Sequence, residues 1–249
     1  MTQLSQRYIV AGCKSWHRRV FGEVLSKLAG DWHYVGKQEE LSLSCLRELR
    51  PRYIFFLHWS WKVPPEILAE VECVCFHMTD VPYGRGGSPL QNLIVRGHRE
   101  TRLTALKMTA ELDAGPVYLK RSLSLEGGAE EIYLRASALS AEMIQQIAQD
   151  ELHALPQTGV PVNFKRRKPE ESQIAELDSL EQLHDFIRML DAEGYPRAFL
   201  SHKGYHFEFS RSALYDGRIV ADVHITREPR ASEPKELKAE ARKTKEPEK

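Results

Sequence analysis

The chain has no net charge. Its 249 residues carry 35 lysines and arginines against 35 aspartates and glutamates. A global electrostatic pull toward nucleic acid is therefore missing. No apolar run approaches the roughly 18 residues of a membrane span. The opening MTQLSQRYIVAG lacks the basic head and cleavage site of a secretory leader, so a cytoplasmic protein is expected. There are four cysteines, Cys13, Cys45, Cys73 and Cys75, all in apolar surroundings. They are too few for a disulfide framework, and a reduced protein follows. No Gly-x-Gly-x-x-Gly follows the first apolar run, where Ala11-Gly12-Cys13-Lys14-Ser15 holds one glycine, so a dinucleotide fingerprint is missing. No Walker lysine accompanies Gly84-Arg85-Gly86-Gly87, which reads better as a tight loop than as a phosphate cradle.

What is present is an alternation. Tyr8-Ile9-Val10-Ala11 reads as a strand, and a helix follows with Trp16, Val20, Phe21, Val24, Leu25 and Leu28 on one face. Trp32 to Val35 is a second strand and Leu41 to Leu49 a short helix. Tyr53-Ile54-Phe55-Phe56-Leu57 is uninterrupted, as a strand covered on both faces should be. A helix opens at Pro64-Pro65, and Val71 to His77 is the next strand. This rhythm predicts an α/β fold, Rossmann-like, with a mostly parallel sheet and helices on both faces. After Gly127-Gly128, the stripe Ile132, Ala136, Leu139, Met143, Ile147 predicts a long core-facing helix. Ser179 caps a helix to Leu190, and Ala198 to Phe209 and Leu214 to Ile225 read as strands broken at Lys203-Gly204 and Asp216-Gly217, a small α+β appendage. From Arg227 the composition collapses to charged residues, alanine and proline, which predicts disorder. The expected division is 1–160, 161–226 and a tail from 227 to 249.

The chemistry concentrates in two segments. In CFHMTDVPYGRGGSPLQ, Cys75 to Gln91, His77 ends a strand ahead of a proline- and glycine-rich loop. In MTAELDAGP, Met108 to Pro116, Asp113 precedes a chain reversal. A histidine at a strand end and an aspartate on a neighbouring loop form an acid/base pair. Cys73, Cys75 and His77 alternate on one strand and point the same way. A structural zinc site needs four ligands and no fourth is evident, so no metal is expected. His58, just past the third strand, is a candidate substrate contact. The run Phe164-Lys165-Arg166-Arg167-Lys168 is either a solvated face or a phosphate contact.

These two segments resemble the core of the 10-formyltetrahydrofolate-dependent formyltransferases, whose pattern is Asn-x-His-x-Ser-x-x-Pro, then Arg-Gly, Pro-x-Gln and Leu-Asp-x-Gly. His77, Pro82, Arg85-Gly86, Pro89, Gln91 and Leu112-Asp113-Ala114-Gly115 fit it without a gap. FIRMLDAEGYPRAFLSHKGYHFEF is similar to the segment opening the carboxyl-terminal domain of the tRNA and sugar enzymes of that family. The resemblance implies formyl transfer from 10-formyltetrahydrofolate to an amine. Asp113 would take the amine's proton and His77 would stabilise the oxyanion. Cys75 stands where the family has its asparagine, and Thr79 where it has serine. The resemblance places the folate pterin against Trp59, Ser60, Trp61, Lys62, Val63, Met108 and Leu112. The acceptor falls among His58, Thr79, Tyr83, Arg85, Gly86 and Gly87. Neutral charge favours an amino sugar, nucleotide-linked and used in polysaccharide synthesis, over tRNA. The expected partners are small molecules, with a homodimer as a further expectation. The rival readings are a methionyl-tRNA formyltransferase and a non-catalytic folate- or sugar-nucleotide-binding homologue that lost the asparagine.

Overall fold

The computed structural model describes residues 6–150 and 152–228. The predicted tail from 227 to 249 lies, apart from its first two residues, outside them. The first half contains strands β1 (Arg7–Gly12), β2 (Asp31–Val35), β3 (Tyr53–Leu57), β4 (Glu72–His77), β5 (Tyr83–Gly86), β6 (Glu100–Lys107) and β7 (Val117–Ser124). All but β5 form one six-stranded sheet in the order β2-β1-β3-β4-β6-β7. The pairs β1–β2, β1–β3 and β3–β4 are parallel. The pairs β4–β6 and β6–β7 are antiparallel. The sheet is therefore mixed. Its two antiparallel strands read as ETRLTALK and VYLKRSLS, with too many charges to stand out as buried runs.

Side chains alternate across the sheet and build two cores. Tyr8, Val10, Tyr53, Phe55, Leu57 and Val74 face one. Helices α1 (Ser15–Glu23) and α5 (Ala129–Asp150) and the short α4 (Pro89–Ile94) close it. Ile9, Ala11, Ile54, Phe56 and Cys73 face the other. Helices α2 (Leu43–Leu49) and α3 (Pro65–Glu70) cover that side. On α5, Ile132, Met143, Ile144 and Ile147 are wholly buried. Each contributes roughly 1.5–3 kcal/mol relative to exposure. Helix α1 is shorter than its apolar stripe predicts. It stops at Glu23, and Leu25–Lys27 continue as a 3₁₀ turn.

Beyond α5, the short strand β8 (Val162–Phe164) pairs in parallel with β5. Helix α6 (Leu180–Arg188) is capped by Ser179, whose hydroxyl accepts from the Gln182 amide. Strands β9 (Ala198–His202), β10 (Tyr205–Tyr215) and β11 (Arg218–Arg227) form an antiparallel sheet with turns at Lys203-Gly204 and Asp216-Gly217. The buried Arg188 ties α6 to the main sheet. It donates to Asp185 at 2.6 Å and to the carbonyls of Leu125 and Gly127 at 2.6 and 2.8 Å. Among the described residues no helix is long and apolar enough to cross a membrane.

Candidate active site

His77 ends β4, and Asp113 sits in the loop joining β6 to β7. The register sets Lys107 opposite Val74, so this loop leaves near the amino end of β4. Met108 donates its amide to the Cys73 carbonyl at 2.8 Å and packs on the second core. The loop then runs back over the face carrying Cys73, Cys75 and His77. Four residues of strand cover about 13 Å, which five extended residues can span.

At the end of that path Asp113 Oδ2 lies 3.5 Å from His77 Nδ1. It also accepts from the Gly86 amide at 2.9 Å. Both side chains are 9% exposed. His77 Nε2 lies 2.8 Å from the Gly84 carbonyl. A carbonyl can only accept, so Nε2 carries a hydrogen and Nδ1 is the atom left to face Asp113. Among the described residues no donor reaches Asp113 Oδ1. A carboxylate held through one oxygen with the other free can take a proton from an incoming group.

The surrounding loop is built to keep this order. Thr79 is buried and donates to the same Gly84 carbonyl at 3.2 Å, while its own carbonyl accepts from Thr104 at 2.7 Å. The Val81–Pro82 peptide is cis. Gly86 has φ +102, and a Cβ there would lie 2.5 Å from the Phe164 carbonyl. Glycine lets the Gly86 amide approach Asp113. Gly87 passes just as closely against the backbone of Arg166. Arg85 reaches Gln157 through Nε at 3.1 Å and Nη2 at 2.8 Å.

Cys75 lies two residues before His77 on the same face. Burial first, then the charges of Asp113 and Cys73, push its thiol well above the usual range. It therefore stays protonated and offers only a weak S–H donor. Trp59 packs edge-on against Phe56 at 5.7 Å and Trp61 edge-on against Trp59 at 4.8 Å. Val63 is buried beneath them. Trp59 and Lys62 line a cavity of about 330 Å³ with Gln38, Glu39, Leu41 and Pro64. Ser60 is exposed, 3.5 Å from the Cys13 thiol. Trp61 and Leu112 remain 39% and 68% exposed. A larger cleft of about 520 Å³ lies at the amino-terminal edge of β3 and β4, lined by Arg47, Arg50 and Glu70 among others. It touches none of these residues.

His58 and Tyr83 are turned elsewhere. The Tyr83 hydroxyl is 3.1 Å from His98 Nε2, and its ring stands edge-on to Phe164. His58 has φ +45 and meets the Tyr195 hydroxyl at 2.6 Å. It stands edge-on to Tyr133 and 6.2 Å from the His17 ring. Burial, with Lys14 and Arg166 nearby, pushes the His58 imidazole down to about 4. Burial and His58 push His17 down to about 3. Both are neutral packing groups in the crevice between β1 and β3. Two residues outside the expected site residues, both read from the sequence only as loop positions, hold the centre together: Gly84, through its carbonyl, and Gln157. Neither carries a local signal, because a backbone carbonyl has none and Pro-Gln-Thr-Gly reads as a loop.

Residues 169–226 match the family model described as methionyl-tRNA formyltransferase, C-terminal domain. A methionyl-tRNA formyltransferase of Sinorhizobium medicae is 34% identical over 137 residues, covering 51% of this chain and 44% of that protein. The chain thus spans between a third and just over half of the length of the curated relatives it matches. The structure of a methionyl-tRNA formyltransferase from Clostridium thermocellum is 43% identical, with TM-score 0.85, covering 89% of this chain and 99% of that one. The chain belongs to the 10-formyltetrahydrofolate-dependent formyltransferase family. A sugar N-formyltransferase from Shewanella shares the fold at TM-score 0.60 and 13% identity, over 87% of this chain and 96% of its own. In this chain the segment 169–226 contains α6 and the sheet β9–β11, while the His77–Asp113 pair lies wholly before it.

Proposed function

We propose that this protein transfers a formyl group to a primary amine, with Asp113 and His77 as its catalytic pair. The observation that carries the reading is the carboxylate held through Oδ2 by the Gly86 amide, 3.5 Å from His77 Nδ1, with no donor to Oδ1 among the described residues. When bound, 10-formyltetrahydrofolate would supply the activated formyl group. Exposed Trp61, edge-on to Trp59, and exposed Leu112 offer apolar surface that fits a flat and partly apolar cofactor. Asp113 Oδ1 accepts the proton that the amine must lose. His77, fixed through Nε2, offers Nδ1–H in its protonated form to a developing negative oxygen. Cys75 supplies no strong donor beside it, so that charge falls on His77. General acid–base help of this kind is worth about 10²- to 10⁴-fold.

For the acceptor, the neutral charge supports a small, nucleotide-linked amino sugar over a polyanion. A second reading, methionyl-tRNA, is favoured by the names of the curated and structural relatives. The experiment offers 10-formyltetrahydrofolate with a panel of nucleotide amino sugars and, in parallel, methionyl-tRNA. Mass gain of one formyl group is the readout. Asp113→Asn should keep the melting temperature and folate binding while turnover falls about 10²-fold or more. Full turnover in Asp113→Asn removes the carboxylate from the mechanism. Folate binding with no product from any amine supports a binding protein instead.

A further inference from the structure

The Gln157 amide uses its whole hydrogen-bonding capacity on the catalytic loops. Nε2 donates to the carbonyls of Asp113 and Gly115, both at 2.8 Å. Oε1 accepts from Arg85 Nε at 3.1 Å and Nη2 at 2.8 Å. Two donors and two lone pairs are all an amide has. Gln157 comes to this place through an isolated bridge two residues earlier. Leu155 and Val117 exchange both backbone hydrogen bonds, at 2.7 and 2.8 Å. Five residues later, Val162 donates to the Pro82 carbonyl at 3.0 Å and β8 joins β5. Residues 155–164 therefore strap the Asp113 loop to the loop of Arg85 and Gly86.

The strap closes a ring on the carboxylate. Asp113 Oδ2 accepts from the Gly86 amide. Arg85, the preceding residue, grips Gln157, and Gln157 grips the Asp113 carbonyl. Asp113 itself has φ +53, a left-handed conformation that aspartate tolerates better than most side-chain-bearing residues. Gly115, the other carbonyl held, has no room for a side chain against the Lys107 carbonyl. The exposed Glu111 adds a longer contact to Arg85 at 3.5 Å, which solvent weakens. Glutamate at 157 could keep Arg85 but could not donate to the carbonyls. Asparagine is one methylene too short to reach both sides.

We propose that Gln157 is a positioning residue for the Asp113 carboxylate. It fixes the left-handed turn and the Arg85–Gly86 peptide together, so that Oδ2 stays on the Gly86 amide and Oδ1 faces the amine. This rests on the catalytic reading of Asp113 given above. A loop tie with no part in the reaction would lower stability and leave turnover per folded molecule unchanged.

The test uses the full chain with Gln157→Met, Gln157→Glu and each combined with Asp113→Asn. Turnover, the KM of both substrates, melting temperature and the Gly86 amide proton resonance are measured. The expected result is a kcat lower by about 10- to 100-fold in both single variants, with KM values within about twofold. In the Asp113→Asn background the same changes should cost less than about threefold, since residues acting as one unit are non-additive. The Gly86 amide proton should move upfield in Gln157→Met as its bond to the carboxylate lengthens. Unchanged kcat, an equal loss in the Asp113→Asn background, or an unmoved Gly86 resonance overturns the proposal. If one variant fails to fold, the other carries the same comparisons. If the wild type formylates no amine, the catalytic reading fails, and the Gly86 resonance alone decides whether Gln157 orders the carboxylate.

Discussion

Gly86→Ala puts one methyl group where the backbone of β5 passes β8. The added Cβ would sit 2.5 Å from the Phe164 carbonyl, so the strands must part by about one ångström to reach ordinary contact. The residue would also hold φ +102, a conformation that costs an L-residue about 1–2 kcal/mol. Parting the strands weakens the Gly87 amide bond to Phe164, now 3.2 Å, and its neighbours, each worth roughly 0.5–1.5 kcal/mol. The expected loss is about 2–4 kcal/mol, a fall in Tm of roughly 5–15 °C for a chain of this size. The same movement withdraws the Gly86 amide from Asp113, and turnover should fall about 10²-fold. Gly204→Ala is the control. Gly204 has φ +78 but open space around it. That variant should lose about 1–2 kcal/mol from backbone strain alone, with turnover unchanged. Thermal melts and turnover of the two purified variants make the comparison. If Gly86→Ala proves no less stable and no less active than Gly204→Ala, the close approach to Phe164 is not what holds the site.

Acid should unfold the protein through His17 and His58. Their folded-state values of about 3 and about 4 lie below the ordinary 6.5, so folding favours the neutral rings. That stability is present above pH 6.5 and is lost as pH falls toward 4 and then 3, with His58 contributing about 3 kcal/mol. Urea midpoints from pH 7.5 to 4 should fall, and fall less in His58→Asn, since asparagine accepts a left-handed backbone; equal slopes would refute this. Cys75→Asn should raise or preserve turnover if an amide finds partners beside His77. If it finds none, it should lower Tm by about 1–3 kcal/mol worth of stability, as a buried unpaired amide does. Parallel melts and rates on that variant separate the two.

The parallel half of the sheet is legible because its strands are buried on both faces and read as continuous apolar runs, Tyr53 to Leu57 above all. Strands β6 and β7 are not, since Arg102, Lys107, Lys120 and Arg121 interrupt them where one face meets solvent. The turns at Lys203-Gly204 and Asp216-Gly217 are legible because glycine supplies positive φ there. His77 and Asp113 could be paired by spacing and resemblance, but the atom-level division between Oδ1 and Oδ2 could not. It depends on the Gly86 amide arriving from β5. Tyr195 was visible as part of a motif, yet its bond to His58 joins residues 137 positions apart, and no local pattern encodes it.

That bond bears on where the chemistry sits. In a doubly wound sheet the ligand crevice lies where the strand order reverses, here between the carboxyl ends of β1 and β3. Tyr195 occupies that place. It stacks on Tyr133, bonds His58 beyond β3, and lies under Lys14 beyond β1, whose ammonium is 5.2 Å from its ring. Lys14 and Ser15 are in turn held by Glu193. The segment before β9 thus fills the crevice with side chains. The His77–Asp113 pair lies one strand further on, where parallel β4 meets antiparallel β6. An antiparallel neighbour has its following loop at the opposite end, so the Asp113 loop must travel back over the face of β4 to meet His77. A loop making that journey is exposed to solvent and long enough to wander. The glycine approaches at Gly86 and Gly115 and the Gln157 strap are the features that fix its end point.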